Sequence, residues 1–241
     1  MNVMLCPSMM CADFGNLDNE IKRLELAGAD ILHLDVMDGQ YVPNFGMGLQ
    51  DIKYICSHSK IKTEVHLMIE NPMKYIELFA ECGVDIIYVH PESEYHVITT
   101  LQKIGELGME AGIVLNPGTA VNTVIELLNV VKRVLVMGVN PGQAGQMYLP
   151  YAENKIEKLL SLQKQYGFSI GMDGACNAER IKRLSEKGVE NFVLGTAALF
   201  FGDMNYEAHM EDIFRAVGQK GCKNEGSCIC HDQDEQSKSA S

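Results

Sequence analysis

The chain has 241 residues, 46% of them hydrophobic, and a formal net charge of −12. That length suits one α/β barrel or two small domains. The acidic balance excludes a nucleic-acid-binding surface, which needs a basic stripe, and no apolar run is long enough to span a bilayer.

The chain opens Met1-Asn2-Val3-Met4-Leu5-Cys6-Pro7. It lacks the basic flank and apolar core of an export signal, and reads as the first strand of a cytoplasmic protein. Short apolar strands are expected near 3–7, 30–35, 62–67, 85–90, 111–115, 133–138, 169–173 and 191–195. Amphipathic helices are expected near 17–27, 47–57, 73–82, 95–107, 120–129, 151–166, 177–187 and 205–217. In 17–27, Leu17, Ile21, Leu24 and Ala27 follow helical spacing, with Asp18, Glu20, Lys22 and Arg23 on the other side. Asn177 is placed as an N-cap, and Gly28, Gly83, Gly108 and Gly188 as left-handed helix ends.

Eight strand–helix pairs predict a single (β/α)8 TIM barrel over residues 1–218. The rival is an open doubly wound sheet, which would gather its active groups at one switch point. Here polar residues close several non-adjacent strands, which favours a barrel. Residues 219–241 are polar, without apolar period, and read as a disordered tail. A small metal site from Cys222, Cys228, Cys230 and His231 is the alternative, but their spacing matches no common zinc pattern. Cys6, Cys11, Cys56, Cys82 and Cys176 are unpaired in spacing and read as free buried thiols in a reducing compartment.

The run His33-Leu34-Asp35-Val36-Met37-Asp38-Gly39 carries the clearest chemistry. Side chains alternate along a strand, so His33 and Asp35 share a face. Glu64-Val65-His66-Leu67-Met68 and Met172-Asp173-Gly174 repeat the pattern at the ends of two further strands. His33, Asp35, His66 and Asp173 together suit one divalent metal, whether Zn, Fe, Mn or Co. The carboxylates can also move protons. Anion-holding turns are expected at Pro141-Gly142-Gln143-Ala144-Gly145-Gln146, Gly174-Ala175 and Gly195-Thr196, where glycine lets backbone N–H groups face a phosphate. Ser8 ends the first strand and can bond a substrate hydroxyl, or serve as a turn. Met37, Met68 and Met137 fall at strand ends, where they can wall a dry pocket. His90 reads as structural, and Asp38 as a supporting or turn residue.

From Leu5 to Phe201 the chain resembles the ribulose-phosphate 3-epimerase family. The resemblance rests on Cys6-Pro7-Ser8-Met9-Met10, the His33–Gly39 run, Val42-Pro43-Asn44, Val65-His66-Leu67-Met68, Asn71-Pro72, Leu115-Asn116-Pro117, the Pro141–Gln146 run and Met172-Asp173-Gly174. It implies that His33, Asp35, His66 and Asp173 hold the metal and that Asp35 and Asp173 are the acid–base pair. It implies contacts to the sugar phosphate from Ser8 and His66, and to its phosphate from Gly142, Gln143, Ala144, Gly145, Gly174, Ala175, Gly195 and Thr196. The implied reaction inverts C3 of a ketose phosphate through an enediolate, one aspartate on each face. Members often form homo-oligomers.

The chain departs from the ribulose phosphate pattern at Gln143, Ala175 and Thr196, where that family usually has Phe, Gly and Ser. Its Asp173-Gly174-Ala175-Cys176-Asn177, Met10-Cys11, Val89-His90-Pro91-Glu92 and Gly195-Thr196 are more similar to D-allulose-6-phosphate 3-epimerases. The expected reaction is therefore D-allulose 6-phosphate to D-fructose 6-phosphate. D-ribulose 5-phosphate to D-xylulose 5-phosphate is the alternative, and a non-catalytic metal and sugar-phosphate-binding barrel a more distant one. A decarboxylase of the orotidine-monophosphate group is disfavoured, because Met37 stands where its lysine is needed.

Overall fold

A computed structural model describes residues 3–219. Cys222, Cys228, Cys230 and His231 lie outside the described residues, as does nearly all of the expected tail. Eight strands are present: β1 (Met4–Pro7), β2 (Ile31–Met37), β3 (Lys62–Met68), β4 (Ile86–Val89), β5 (Glu110–Leu115), β6 (Arg133–Met137), β7 (Ser169–Asp173) and β8 (Asn191–Leu194). All pair in parallel, in the order β1-β8-β7-β6-β5-β4-β3-β2. A parallel bridge from Ser8 to His33, with the Asp30 N–H donating to the Leu5 carbonyl at 3.0 Å, closes the ring between β1 and β2.

Among the described residues seven α-helices surround the ring: α1 (Leu17–Leu26), α2 (Leu49–His58), α3 (Ile76–Cys82), α4 (Val97–Glu106), α5 (Glu153–Tyr166), α6 (Ala178–Lys187) and α7 (Tyr206–Val217). Strand alternation divides the core. Leu32, Leu34 and Val36 of β2 face the helices and join the large outer core, where burial of such side chains contributes about 1.5–3 kcal/mol each. Ile31 instead joins Cys6, Tyr88, Val114 and Leu135 inside the ring. Gly112 makes space there, since a Cβ on it would come 2.4 Å from the Tyr88 ring.

The Asn177 side chain accepts from the Arg180 N–H, so it caps α6 as expected. Gly28, Gly83, Gly108 and Gly188 all take positive φ. Two helix expectations fail. The helix expected over 120–129 is two 3-10 segments, Val121–Thr123 and Ile125–Asn129. Its buried Val121, Val124 and Leu127 recur every three residues, which suits the three-residue turn of a 3-10 helix. Glu20, assigned to the polar side of α1, is buried, because α7 packs over it and Tyr206 Oη donates to its carboxylate at 2.5 Å.

Of the five described cysteines, all are free. Only Cys6 and Cys176 are buried, whereas Cys11, Cys56 and Cys82 are half-buried.

Candidate active site

The register of β2 and β3 sets His33 beside Glu64, Asp35 beside His66 and Met37 beside Met68. With a period of two, all six face into the barrel. Asp173 ends β7, beside Met137 of β6, and reaches the same space. The four expected ligands therefore converge. His33 Nε2 is 3.4 Å from Asp35 Oδ1 and 4.0 Å from Asp173 Oδ2. His66 Nδ1 is 3.4 Å from Asp35 Oδ1 and 3.5 Å from Asp173 Oδ2. All four donor atoms lie within 4.8 Å of one another.

The far side of each imidazole is held. His33 Nδ1 lies 2.7 Å from Glu64 Oε1, and His66 Nε2 lies 2.8 Å from His90 Nε2. The inward nitrogens, His33 Nε2 and His66 Nδ1, are buried with no hydrogen-bond partner among the described residues. Buried orphan nitrogens between two carboxylates fit a divalent cation that takes nitrogen and oxygen ligands.

Electrostatics agrees with the geometry. Burial opposes a charged His33, but the carboxylates of Asp35 and Glu64 outweigh it and hold its pKa well above the ordinary value. Burial likewise opposes a charged His66, and Asp173 and Asp35 raise its pKa. Burial would raise Asp35, yet His33 and His66 hold it well below the usual carboxylate range. Burial, and then the neighbouring His66, push His90 down. In the metal-free site the two carboxylates thus favour protons on the imidazoles, which a cation must displace.

A cavity of about 310 Å³ opens over this cluster. Every residue expected at the phosphate lines it: Gly142, Gln143, Ala144, Gly145, Gly174, Ala175, Gly195 and Thr196. So do Met37, Met68 and Met137, all buried, which form an apolar wall. Ser8 lines it too, with its Oγ donating to Asp35 Oδ2 at 2.6 Å. Among the described residues, no lysine or arginine lines it. The N–H groups of Gly174, Ala175, Cys176, Gly195 and Ala197 donate to no protein group among the described residues. Across the mouth, Asn44 Nδ2 donates to the Gly142 carbonyl at 2.7 Å and ties the β2 loop to the β6 loop.

Asp38 is a turn residue. Its carboxylate accepts from the N–H groups of Gln40, Tyr41 and Glu70. Sequence reasoning gave no role to Glu64, although its two-residue offset from His66 put it on the same face. His90, read as structural, braces a metal-capable histidine. Met10 and Cys11 also line the cavity, a place the sequence did not assign them. Burial, with Asp35 beside it, pushes the Cys11 thiol up to about 11, so it is not a thiolate nucleophile at neutral pH.

The profile of the Ribulose-phosphate 3 epimerase family matches residues 4–200. The chain belongs to that family. It is 38% identical over 207 residues to a ribulose-phosphate 3-epimerase of Aquifex aeolicus, covering 85% of this chain and 92% of that one. With a ribulose-phosphate 3-epimerase of Helicobacter pylori the identity is 41%, over 80% of this chain and 88% of the relative. The chloroplastic ribulose-5-phosphate-3-epimerase of Arabidopsis thaliana is 35% identical over 88% of this chain and 76% of its own length. The protein is thus a carbohydrate-phosphate 3-epimerase, an isomerase. Among solved structures, KGPDC from Streptococcus mutans superimposes with a TM-score of 0.67. Its identity is 11%, with 90% of this chain and 99% of that chain covered, so the likeness is one of fold. No helix among the described residues is long and apolar enough to cross a membrane.

Proposed function

We propose that the protein interconverts D-ribulose 5-phosphate and D-xylulose 5-phosphate, with Asp35 and Asp173 as the proton-transfer pair. The observation that carries the chemistry is one cavity bounded by two carboxylates from non-adjacent strands, with two imidazole nitrogens aimed between them. Inversion at C3 requires a base on one face and an acid on the other. Strands β2 and β7 stand apart in the ring and can supply one each. The pentose is favoured over the expected hexose because relatives covering at least four-fifths of the chain bear ribulose-phosphate names. The similarity to D-allulose-6-phosphate 3-epimerases rests on a few short runs.

His33, Asp35, His66 and Asp173 would hold one divalent cation. Such a cation stabilises negative charge developing on a ketose oxygen when C3 loses its proton. Ser8 keeps Asp35 oriented by donating to the oxygen that faces away from the histidines. Glu64 accepts a hydrogen bond from His33 Nδ1–H and leaves Nε2 as the inward donor atom. Met37, Met68 and Met137 exclude water beside the reacting carbons without offering hard ligands. The unpartnered N–H groups of Gly174 to Cys176 and of Gly195 and Ala197 hold the phosphate.

The test is metal-replete turnover in D2O with D-ribulose 5-phosphate and D-allulose 6-phosphate in parallel. The expected result is a higher kcat/KM for the pentose, with deuterium at C3 of the product. A clear preference for the hexose would reverse the substrate assignment and keep the chemistry. Turnover without exchange at C3 would remove the proton-transfer mechanism.

A further inference from the structure

Arg180 sits in the first turn of α6, where its side-chain charge does nothing for the helix itself. The N-terminal end of a helix favours negative charge, so an arginine there needs another reason. Its guanidinium folds back and Nη1 donates to the carbonyl of Ala175. It also stacks on Tyr148, with Cζ 3.7 Å from the ring centroid. Tyr148 is held in turn, its hydroxyl donating to Glu153 Oε1 at 3.0 Å. Glu153 is paired with Arg183, whose Nη2 is 2.7 Å from the same oxygen.

Two features connect this assembly to the cavity. Ala175 has φ +53°, a left-handed conformation that disfavours a side chain and needs support from outside. The peptide unit is planar and trans, so its C=O and N–H point in opposite directions. Holding the Ala175 carbonyl toward Arg180 turns the Cys176 N–H the other way, and that N–H has no protein partner among the described residues. Tyr148 also packs on Gly138, where a Cβ would come 2.9 Å from the Tyr148 ring and 2.8 Å from the Gly174 carbonyl. The stack therefore ties the β6 loop to the β7 loop.

We propose that Arg180 is a positioning residue for the substrate phosphate: it grips the β7 loop from behind, aims its N–H groups, and places a positive charge one carbonyl away from a cavity lined, among the described residues, by no lysine or arginine. The inference rests on the assignment of these N–H groups to a phosphate. It explains how a cavity whose described lining holds no lysine or arginine meets a dianion.

The experiment uses the full chain, metal-replete, with R180M and R180K. Five quantities are read: KM and kcat for D-ribulose 5-phosphate, Ki for inorganic phosphate, kcat/KM for unphosphorylated D-ribulose, and bound metal. In R180M, KM and Ki rise together by about tenfold, as expected for losing a charge-assisted contact. The value of kcat, turnover of D-ribulose and metal content stay within about twofold of the parent. R180K keeps the charge without the planar stack and recovers part of the loss. A folded R180M with parental KM and Ki overturns the inference, and so does an equal loss on both sugars. If R180M fails to fold, parental KM and Ki in R180K overturn it. If the parent itself is indifferent to inorganic phosphate and to the substrate's phosphate, the phosphate assignment fails and the inference with it.

Discussion

The cavity has two halves built from different materials. Toward β2, β3 and β7 it rests on side chains, all on strands: Asp35 and Asp173 line it, and His33 and His66 are buried beneath them. Toward the loops after β6, β7 and β8 it is made of backbone N–H groups. In the first half direction comes from strand alternation and register, and the charge is formal. In the second it comes from turn geometry, with Gly142, Gly145, Gly174 and Ala175 at positive φ. Chemistry can therefore be changed in the first half by altering one side-chain atom. In the second, only a change in the path of the chain has the same reach.

The largest expected effect tests whether the halves act separately. D173N removes a proton carrier at nearly constant shape, and kcat falls by about 10²–10⁴-fold. Its Ki for inorganic phosphate should stay near the parent value; a parallel rise would show the halves to be coupled. E64Q leaves an acceptor beside His33 but removes the charge. Titration with Zn2+ or Mn2+ should give about 10–100-fold weaker metal binding, with KM unchanged at saturating metal.

Next comes pH. The raised pKa values of His33 and His66 mean that a cation competes with protons there. Apparent metal affinity should keep rising as pH climbs past the ordinary histidine value of about 6.5. A plateau beginning below that value in a metal titration would contradict the raised pKa values. In the metal-free protein the sign is opposite for stability. The raised histidines contribute stability that is complete below their unfolded pKa and lost as pH rises through the folded value.

Smaller effects belong to the backbone half. G174A forces a side chain onto φ +102°, with its Cβ 2.6 Å from Val139. It should destabilise by about 1–2 kcal/mol and raise Ki for inorganic phosphate. A175G should relieve the left-handed residue at φ +53° and raise Tm by about 1–3 °C in a thermal melt. An unchanged or lower Tm would mean that the loop carries no strain at Ala175.

The same division decides what could be read from the sequence. Strand alternation made His33, Asp35 and His66 legible, and the eightfold beat placed Asp173 on the same axis. Helix ends at Gly83 and Gly188 were legible because left-handed caps demand glycine. The segment after Pro117 was misread as α-helical, since Val121, Val124 and Leu127 also satisfy part of a helical pattern. Glu64 was within reach of the alternation rule. His90 was not, because its role depends on β4 standing next to β3. Arg180 was hidden for a similar reason: nothing local says that a first-turn arginine folds back onto the preceding loop. The glycine turns pointed to the half proposed to hold the phosphate, and their motif detail pointed to a hexose, while the relatives bear ribulose-phosphate names.

The bridge between Ser8 and His33 also has a temporal meaning. Ser8 is the rung that shuts the ring, and its N–H pairs with Leu194, nearly the whole described chain away. The same residue steadies Asp35 through its hydroxyl. Contacts between such distant parts form late in folding, because the intervening chain must first be ordered. During synthesis, Asp35 and His66 emerge early but must wait for β8 before Ser8 is fixed beside them. Return of activity on refolding should accordingly lag behind the helical circular dichroism signal, which makes catalysis itself a clock for closure of the barrel.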